Sequence, residues 1–188
     1  MEFVQPIRDK NQIEAMKKVL KASSLRDFAL FTLGINSGLR ISDLLKLQVL
    51  DVTDEKAKIN DRISLREKKT GKLKAFPIGE TTKKALKEYL SSVSLDPEQP
   101  LFPSRKGKGP LTRQQAYRIL NSAARMVGVK DQIGTHTLRK TFGYHAYKDG
   151  HDITRIQKLL NHSTPTVTLA YIGITQDELD DVYLTLNL

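Results

Sequence analysis

The side chains best suited to chemistry lie in three separated segments of the chain. Arg40 and Asp43 stand between apolar stretches, where an arginine usually has a carboxylate or a phosphate as partner. His136 and Arg139 are three residues apart, so both side chains share one face of a helix. Tyr171 stands in an apolar stretch, nine residues after His162. Taken singly, these features also fit an Arg–Asp pair, a solvated basic face and a core tyrosine.

The sequence lacks the motifs of several common catalytic mechanisms. It has no phosphate-binding P-loop, no dinucleotide-binding glycine motif and no HExxH zinc motif. The complete sequence has no cysteine, which excludes a cysteine nucleophile, a disulfide scaffold and zinc bound by cysteine.

Composition limits the class of protein and its partners. The 188 residues suit one compact domain, and a hydrophobic fraction of 39% excludes disorder throughout. No apolar run approaches the roughly 20 residues of a membrane span, and the first 21 residues do not form a signal peptide. We therefore expect a soluble, cytoplasmic protein without membrane association.

Charge is distributed unevenly. Residues 175–188 hold four of the 21 acidic side chains and no Lys or Arg, so residues 1–174 combine 31 basic with 17 acidic groups, a net charge of +14. Such a body favours a polyanionic partner, of which nucleic acid is the leading candidate.

The elements that must position these residues are mostly helices. An apolar stripe from Ile13 to Leu20 predicts the first helix, and a short helix is expected at about 41–47. In the helix after Asp152, we expect Ile153, Ile156, Leu159 and Leu160 to point inward. The remaining boundaries follow from capping signals: starts at Ser24, Thr82, Thr112 with Gln115, Asp152, Thr164-Pro165 and Thr175 with Glu178, and ends at Gly38, Gly128 and Gly150.

The middle of the chain has a different pattern. Four short segments, some of them alternating, predict strands: Val49–Thr53, Ala57–Asn60, Arg62–Arg66 and Leu73–Ile78. Lys69-Thr70-Gly71-Lys72 between the last two indicates a hairpin turn. The predicted fold class is therefore mainly α with a small antiparallel β-sheet (α+β), in one domain over residues 1–188.

The ordered set of these segments resembles the tyrosine recombinase (phage integrase) family. The stretches that carry the resemblance are NSGLRISDLLKL, REKKTGKLKAFPI, HTLRKTFGYH and IQKLLNHSTPTVTLAYI, which run from residue 36 to residue 172. None of these motifs is specific alone, but their order and spacing together match the catalytic domain of that family.

The resemblance implies a role for each candidate residue. Arg40 and Arg139 match the two phosphate-binding arginines, His136 the first histidine and His162 the second His/Trp position. Tyr171 matches the nucleophile. Lys69 matches the mobile lysine of the hairpin, with Lys72 on the same turn as second choice, and both are expected to contact DNA together with the arginines. Asp43 matches an acidic position that supports the active site.

These residue types suit attack on a phosphodiester. Two guanidiniums can hold the non-bridging oxygens and stabilise the pentavalent transition state. Nearby cations favour the phenolate of a tyrosine, and a histidine can take its proton. A lysine can protonate the leaving 5′ oxygen. The resulting 3′-phosphotyrosine retains the bond energy, so no ATP is expected. No metal or other cofactor is expected either, which fits the absence of a carboxylate cluster from the sequence.

The chain also departs from the family. Members usually have an N-terminal helical domain that closes around DNA; here the chain begins at the catalytic domain, which predicts weaker and more salt-sensitive binding. It is either a piece of a longer protein or naturally short. The helix expected over 175–188 has a stripe of Leu179, Val182, Tyr183 and Leu186. That stripe either docks on a neighbouring protomer or packs on its own domain.

Two main interpretations follow. The first is a site-specific recombinase or integrase domain that cleaves and rejoins double-stranded DNA through Tyr171 and acts as a homotetramer on DNA, associated with the nucleoid. The alternative is a basic DNA-binding module without catalysis, because Asp152–Tyr171 resembles a helix-turn-helix. That alternative leaves Arg40, Lys69 and the His136/Arg139 pair unexplained. A third interpretation, a basic RNA- or ribosome-associated protein, is disfavoured by an aromatic content of 6%.

Overall fold

The computed structural model of the chain describes residues 4–66, 71, 73–105, 107 and 109–186. Within this part of the chain, helices dominate and one two-stranded antiparallel sheet interrupts them, which confirms the predicted fold class. The elements are α1 (Lys10–Ser23), α2 (Leu25–Ser37), α3 (Ile41–Leu44), a 3-10 turn (Val49–Asp51), β1 (Arg62–Arg66), β2 (Leu73–Pro77), α4 (Glu80–Leu90), α5 (Arg113–Met126), α6 (Thr137–Lys148), α7 (Ile153–Leu160), α8 (Pro165–Ile172) and α9 (Gln176–Leu186).

Many helix boundaries are set by the local signals in the sequence. The Ser24 hydroxyl accepts from the Asp27 amide at the start of α2, and Thr112 and Gln115 form a reciprocal capping box at α5. The Thr164 side chain caps α8 and Pro165 takes its first helical position. These contacts satisfy backbone amides that a helix start leaves without partners.

Two strand predictions and two helix boundaries are wrong. Within the predicted strand Val49–Thr53, residues Val49–Asp51 form a 3-10 turn, because Gln48 and Asp51 cap each other across it. The predicted strand Ala57–Asn60 does not form either; only an isolated bridge joins Thr53 to Ile59. The helix predicted at 41–47 ends at Leu44. Helix α4 begins at Glu80 after Gly79, and Thr82 is buried within its first turn.

The chain buries two apolar clusters that share α6 as a wall. The larger one joins α1, α2, α4 and α5, and includes Phe31 and Phe102 with no exposed side-chain surface. The smaller one consists of Tyr144, Ile156, Leu160 and Ile172, from α6, α7 and α8. In α7 only one face is buried, so Leu159 is 46% exposed rather than inward as predicted.

Helices α2 and α6 approach closely where the two clusters meet. Gly34 makes this possible: a Cβ at this position would lie 2.5 Å from Cδ1 of Leu138. The close approach brings the end of α2 beside the start of α6. No helix among the described residues has the length and apolar character needed to cross a membrane.

Candidate active site

A tyrosine and a histidine from two different helices meet at the edge of the smaller cluster. Tyr171 lies in the last turn of α8, and its Oη is 3.2 Å from Nδ1 of His136, the N-cap residue of α6. The two rings meet edge to face, with centroids 6.3 Å apart. A proton acceptor thus lies within hydrogen-bond reach of the phenol.

His162 covers a second side of the same tyrosine. Its ring centroid lies 4.7 Å from that of Tyr171. Its Nδ1 is 3.1 Å from the hydroxyl of Thr168, which donates its one proton to the carbonyl of Thr164. Because that proton is used, the hydroxyl oxygen must accept from Nδ1–H, which makes Nε2 the acceptor nitrogen of a neutral His162 ring.

Arg139 on α6 is buried near Tyr171 and links α6 to the ends of α2 and α7. It is 2% exposed and donates hydrogen bonds to the carbonyls of Gly38, which ends α2, and Leu160, which ends α7. A guanidinium is planar and has five N–H donors, so two backbone carbonyls fix both its position and its plane.

Arg40 lies near enough to the site for its charge to affect the pKa of both Tyr171 and His136. It is the N-cap residue of α3, two residues after Gly38, and its Nη1 lies 4.0 Å from Oδ2 of Asp43. The Asp43 side chain is 1% exposed and that of Arg40 is 17% exposed. Arg40 and Asp43 therefore form the Arg–Asp pair that the sequence offered as an alternative to a phosphate partner.

The surroundings shift the proton affinities of the tyrosine and the histidine in opposite directions. Burial raises the pKa of Tyr171, against the lowering effect of the Arg139 and Arg40 charges, so the phenol is protonated at neutral pH. The pKa of His136 is lowered from 6.5, first by partial desolvation and then by the charges of Lys140, Arg139 and other nearby cations. His136 is therefore neutral and able to accept a proton at pH 7.

Two of the predicted site residues, Lys69 and Lys72, lie outside the described residues. The strands that flank them pair in antiparallel register from Arg62↔Pro77 to Arg66↔Leu73.

The structure adds two residues that the sequence analysis did not select. Nζ of Lys140 lies 5.1 Å from the ring centroid of Tyr171, and this lysine is only 8% exposed, with its pKa lowered by burial and by the charge of Arg8. Its position four residues after His136, on the same helix face, is the signal that could have identified it. Thr168, which orients His162, has no comparable signal.

Metal-binding side chains are not clustered in the part of the chain that the structure describes. No group of three or more His, Cys, Asp or Glu residues in that part could hold a metal ion. The groups around Tyr171 are instead cations and two imidazoles, which suit an anionic substrate such as a phosphodiester.

Comparison with known proteins agrees with this geometry. Residues 8–178 match the phage integrase family. The chain is 45% identical over 177 residues to the probable integrase/recombinase YoeC of Bacillus subtilis, covering 94% of this chain and 93% of that protein. It is 35% identical over 169 residues to the tyrosine recombinase XerC of Thermodesulfovibrio yellowstonii, covering 84% of this chain but about half, 53%, of that protein.

Solved structures show the same fold. The XerA recombinase matches over 100% of this chain and 66% of its own, with a TM-score of 0.78 and 23% identity. The XerH site-specific recombinase, solved bound to a palindromic difH substrate, matches over 96% and 52% with a TM-score of 0.75 and 21% identity.

The fold, the match over residues 8–178 and the 45% identity to a probable integrase/recombinase agree with one another. They favour the recombinase interpretation over a DNA-binding module without catalysis, although α7 and α8 do form two short helices joined by a turn. The chain belongs to the phage integrase family and is a tyrosine recombinase/integrase catalytic domain.

Proposed function

We propose that Tyr171 is the nucleophile that cleaves double-stranded DNA. The observation that carries this proposal is the 3.2 Å contact between Tyr171 Oη and His136 Nδ1. In the proposed step the phenol oxygen forms a bond to phosphorus while His136 takes the phenol proton. The bond between phosphorus and the 5′ oxygen breaks, and the 3′ end stays linked to the tyrosine.

The proton of Tyr171 leaves during the attack rather than before it. Burial raises the pKa of the phenol in the free site more than the two arginines lower it. A neutral His136 is therefore needed at the moment of attack.

Arg40 and Arg139 are proposed to hold the two non-bridging oxygens of the scissile phosphate. Arg139 is held by two backbone carbonyls and Arg40 lies beside buried Asp43, so both guanidiniums are positioned before substrate arrives. Such preorganised charges stabilise the extra negative charge of the transition state at little reorganisation cost. Asp43 is proposed to support this arrangement without contacting DNA.

The leaving group needs a proton, and we propose Lys69 as its donor, with Lys72 as second choice. After transfer the 5′ hydroxyl is free, and the attack of a 5′ hydroxyl on the phosphotyrosine reverses the step and reseals a strand. The covalent link retains the energy of the broken bond, so the cycle is proposed to run without ATP. It is also proposed to run without metal, because the two arginines supply the positive charge that the transition state needs. His162, beside the phenol, is proposed to support the same transition state.

The net positive charge of residues 1–174 supports DNA as the partner. One related structure is of the Tn1549 transposon integrase in complex with transposon right end DNA, with a TM-score of 0.65 and 18% identity, and XerH was solved with its difH substrate. We propose that this chain likewise acts on specific DNA sites at the nucleoid, and that four copies assemble on two duplexes.

Helix α9 is the proposed contact between those copies. Its apolar residues Val182, Tyr183 and Leu186 are 55%, 82% and 61% exposed, so they do not pack on their own domain; the Leu179 side chain lies outside the described residues. Glu178 attaches the start of α9 to α6 through Lys148 at 3.4 Å and the hydroxyl of Tyr144 at 3.3 Å.

Light scattering tests this contact, with and without DNA. We expect the Tyr183→Ala variant, or a chain cut after Gly173, to lose the self-association of the intact chain. The Met126→Ala variant should keep it, because Met126 is 72% exposed but lies on α5. Unchanged self-association in the cut chain would show that α9 does not make the contact.

The nucleophile is tested without knowledge of the target site. The protein is incubated with supercoiled plasmid and with nicked duplex at low salt without metal, and the reaction is stopped with SDS. We expect relaxed plasmid and a covalent protein–DNA adduct, both absent in the Tyr171→Phe variant. An adduct that persists in Tyr171→Phe would refute the assignment of the nucleophile.

A third experiment distinguishes the two lysines. A duplex with a 5′-bridging sulfur at the cleaved position has a leaving group that needs no proton. We expect the variant of the true acid, Lys69→Ala, to lose about 10²–10⁴-fold in rate on the normal duplex and to recover on the sulfur duplex. Recovery of Lys72→Ala instead would transfer the role to Lys72.

A further inference from the structure

The segment that precedes α1 is bound along one face of α6. The hydroxyl of Thr137 donates to the Gln5 carbonyl at 3.1 Å, and the Ile7 amide donates to the Thr141 hydroxyl at 2.9 Å. The Nε2 of His145 lies 2.9 Å from the Ile7 carbonyl. Residues 5–7 therefore follow α6 from Thr137 to His145, although they are more than 130 positions away in sequence.

Arg8, the next residue, extends from this segment to the end of α8. Its Nη2 donates to the Gly173 carbonyl at 2.8 Å and to Oε1 of Gln5 at 3.3 Å. Gly173 is the C-cap of α8. A helix leaves its last carbonyls without partners within the helix and carries partial negative charge at that end, so a guanidinium there stabilises the termination of α8.

Gly173 lies two residues after Tyr171 and closes the turn that contains it. The Gly173 amide donates to the carbonyls of Leu169 and Ala170 at 3.1 and 3.3 Å. The backbone of Tyr171 is thus part of a turn whose last residue is held from outside by Arg8. The Arg8 guanidinium also lies 5.4 Å from the ring centroid of Tyr144 on α6. This contact holds the Arg8 side chain in place.

We propose that Arg8 is a positioning residue for Tyr171, holding the last turn of α8 in register with His136 at the start of α6. The inference rests on the proposed role of Tyr171 as nucleophile. Arg8 acts through the Gly173 carbonyl and the Tyr171 backbone. The segment that leads into α1 thereby helps to hold the phenol of Tyr171 in position against His136. Disturbance of residues 5–8 should therefore alter cleavage while the predicted DNA-contacting arginines stay in place.

The test compares Arg8→Gln with a matched arginine elsewhere. Arg125 donates to the carbonyls of Val129 and Lys130, just after the end of α5, at 2.7 and 2.9 Å. Arg125→Gln therefore removes the same charge and the same kind of contact from a helix end outside the site. Arg8→Lys is the conservative variant, because an ammonium can still donate to the Gly173 carbonyl.

Two measurements are made on each full-length variant. The first is the ¹³C NMR signal of the tyrosine Cζ in labelled protein without DNA, with the Tyr171 signal assigned from Tyr171→Phe. The second is the single-turnover rate of adduct formation on nicked duplex at saturating protein, with the Kd for the same duplex. A small displacement of a reacting group can reduce a rate by about 10²-fold.

For Arg8→Gln we expect a shifted Tyr171 signal and adduct formation about 10- to 100-fold slower, with an unchanged Kd. Arg8→Lys should recover most of the rate and Arg125→Gln should behave as wild type. The inference is overturned if Arg8→Gln retains the Tyr171 signal, if it retains the wild-type rate, or if Arg125→Gln loses as much rate. Absence of an adduct in the wild type would refute the proposed nucleophile instead, and the NMR signal would still decide whether Arg8 positions Tyr171.

Discussion

Replacement of Gly38 by alanine tests how the end of α2 supports both arginines. Gly38 ends that helix with a left-handed φ of 60°, its carbonyl accepts from Arg139, and Arg40 follows two residues later. A Cβ at this position would lie 2.7 Å from Cδ1 and 2.9 Å from Cε1 of Phe142. The substitution therefore combines backbone strain with a steric clash.

The two effects can be estimated separately. A left-handed conformation costs a residue with a Cβ about 1–2 kcal/mol, and overpacking of this kind costs about 1–3 kcal/mol. Their sum, about 2–5 kcal/mol, is a large part of the roughly 5–15 kcal/mol that stabilises a typical domain. For a chain of this length it corresponds to a loss of about 10 °C in Tm.

Other glycines of the same chain provide matched controls for calorimetry. Gly128 has a φ of 76° with nothing within 4 Å of an added Cβ, so Gly128→Ala should show the strain alone, a loss of about 4 °C. Gly79 has neither feature, so Gly79→Ala should be near neutral. Shortening the clashing side chain, Phe142→Leu, should recover part of the stability in the double variant with Gly38→Ala.

Activity should follow the same order. Displacement of the Gly38 carbonyl moves the acceptor of Arg139, so we expect Gly38→Ala to form the covalent adduct at least about 10-fold more slowly below its Tm, and Gly128→Ala to remain at the wild-type rate. Equal Tm values for Gly38→Ala and Gly128→Ala would refute the clash with Phe142. A wild-type adduct rate in Gly38→Ala would refute the link to Arg139.

Three further predictions concern the same site. The adduct rate should rise with pH through a midpoint below 6.5 and level off by pH 7, because only neutral His136 accepts the proton and its pKa is lowered; a midpoint above 6.5 in a pH–rate series would contradict this. Thr168→Val should slow adduct formation about 10-fold with little change in DNA affinity, because it removes the acceptor that orients His162; an unchanged single-turnover rate would show that this contact is dispensable. Asp43→Asn should lower the free energy of unfolding by about 1–3 kcal/mol and slow the adduct, because Arg40 loses a buried negative charge beside it; urea unfolding together with the cleavage assay checks both, and an unaltered cleavage rate would separate Asp43 from the site.

The structure explains why the candidate residues occur so far apart in the sequence. Gly38 and Leu160 supply the two carbonyls that hold Arg139, and they end α2 and α7. Arg40 and His162 each follow one of these carbonyls by two residues. One buried guanidinium on α6 thus connects the two chain segments that carry Arg40 and His162.

The sequence by itself determined most helix boundaries, because their signals are local. A Thr–Gln capping box at Thr112, a proline at 165 and a glycine at 38 act on backbone groups within four residues of themselves. The order of the family motifs likewise identified the recombinase. Where the deciding contact came from outside the segment, local patterns failed: Leu159 satisfies the apolar periodicity of α7, yet the neighbouring helices cover only the face of Ile156 and Leu160.

Tertiary structure alone decided which groups lie beside Tyr171. The 3.2 Å contact with His136 joins residues 35 positions apart, and Arg8 reaches Gly173 across 165 positions. The pKa of the Tyr171 phenol is raised because packed helices bury it. The extent of that burial cannot be read from the positions of charged residues in the sequence. The physical reason is that desolvation and hydrogen-bond geometry depend on distances in space, which a linear pattern constrains only within a single helix or turn.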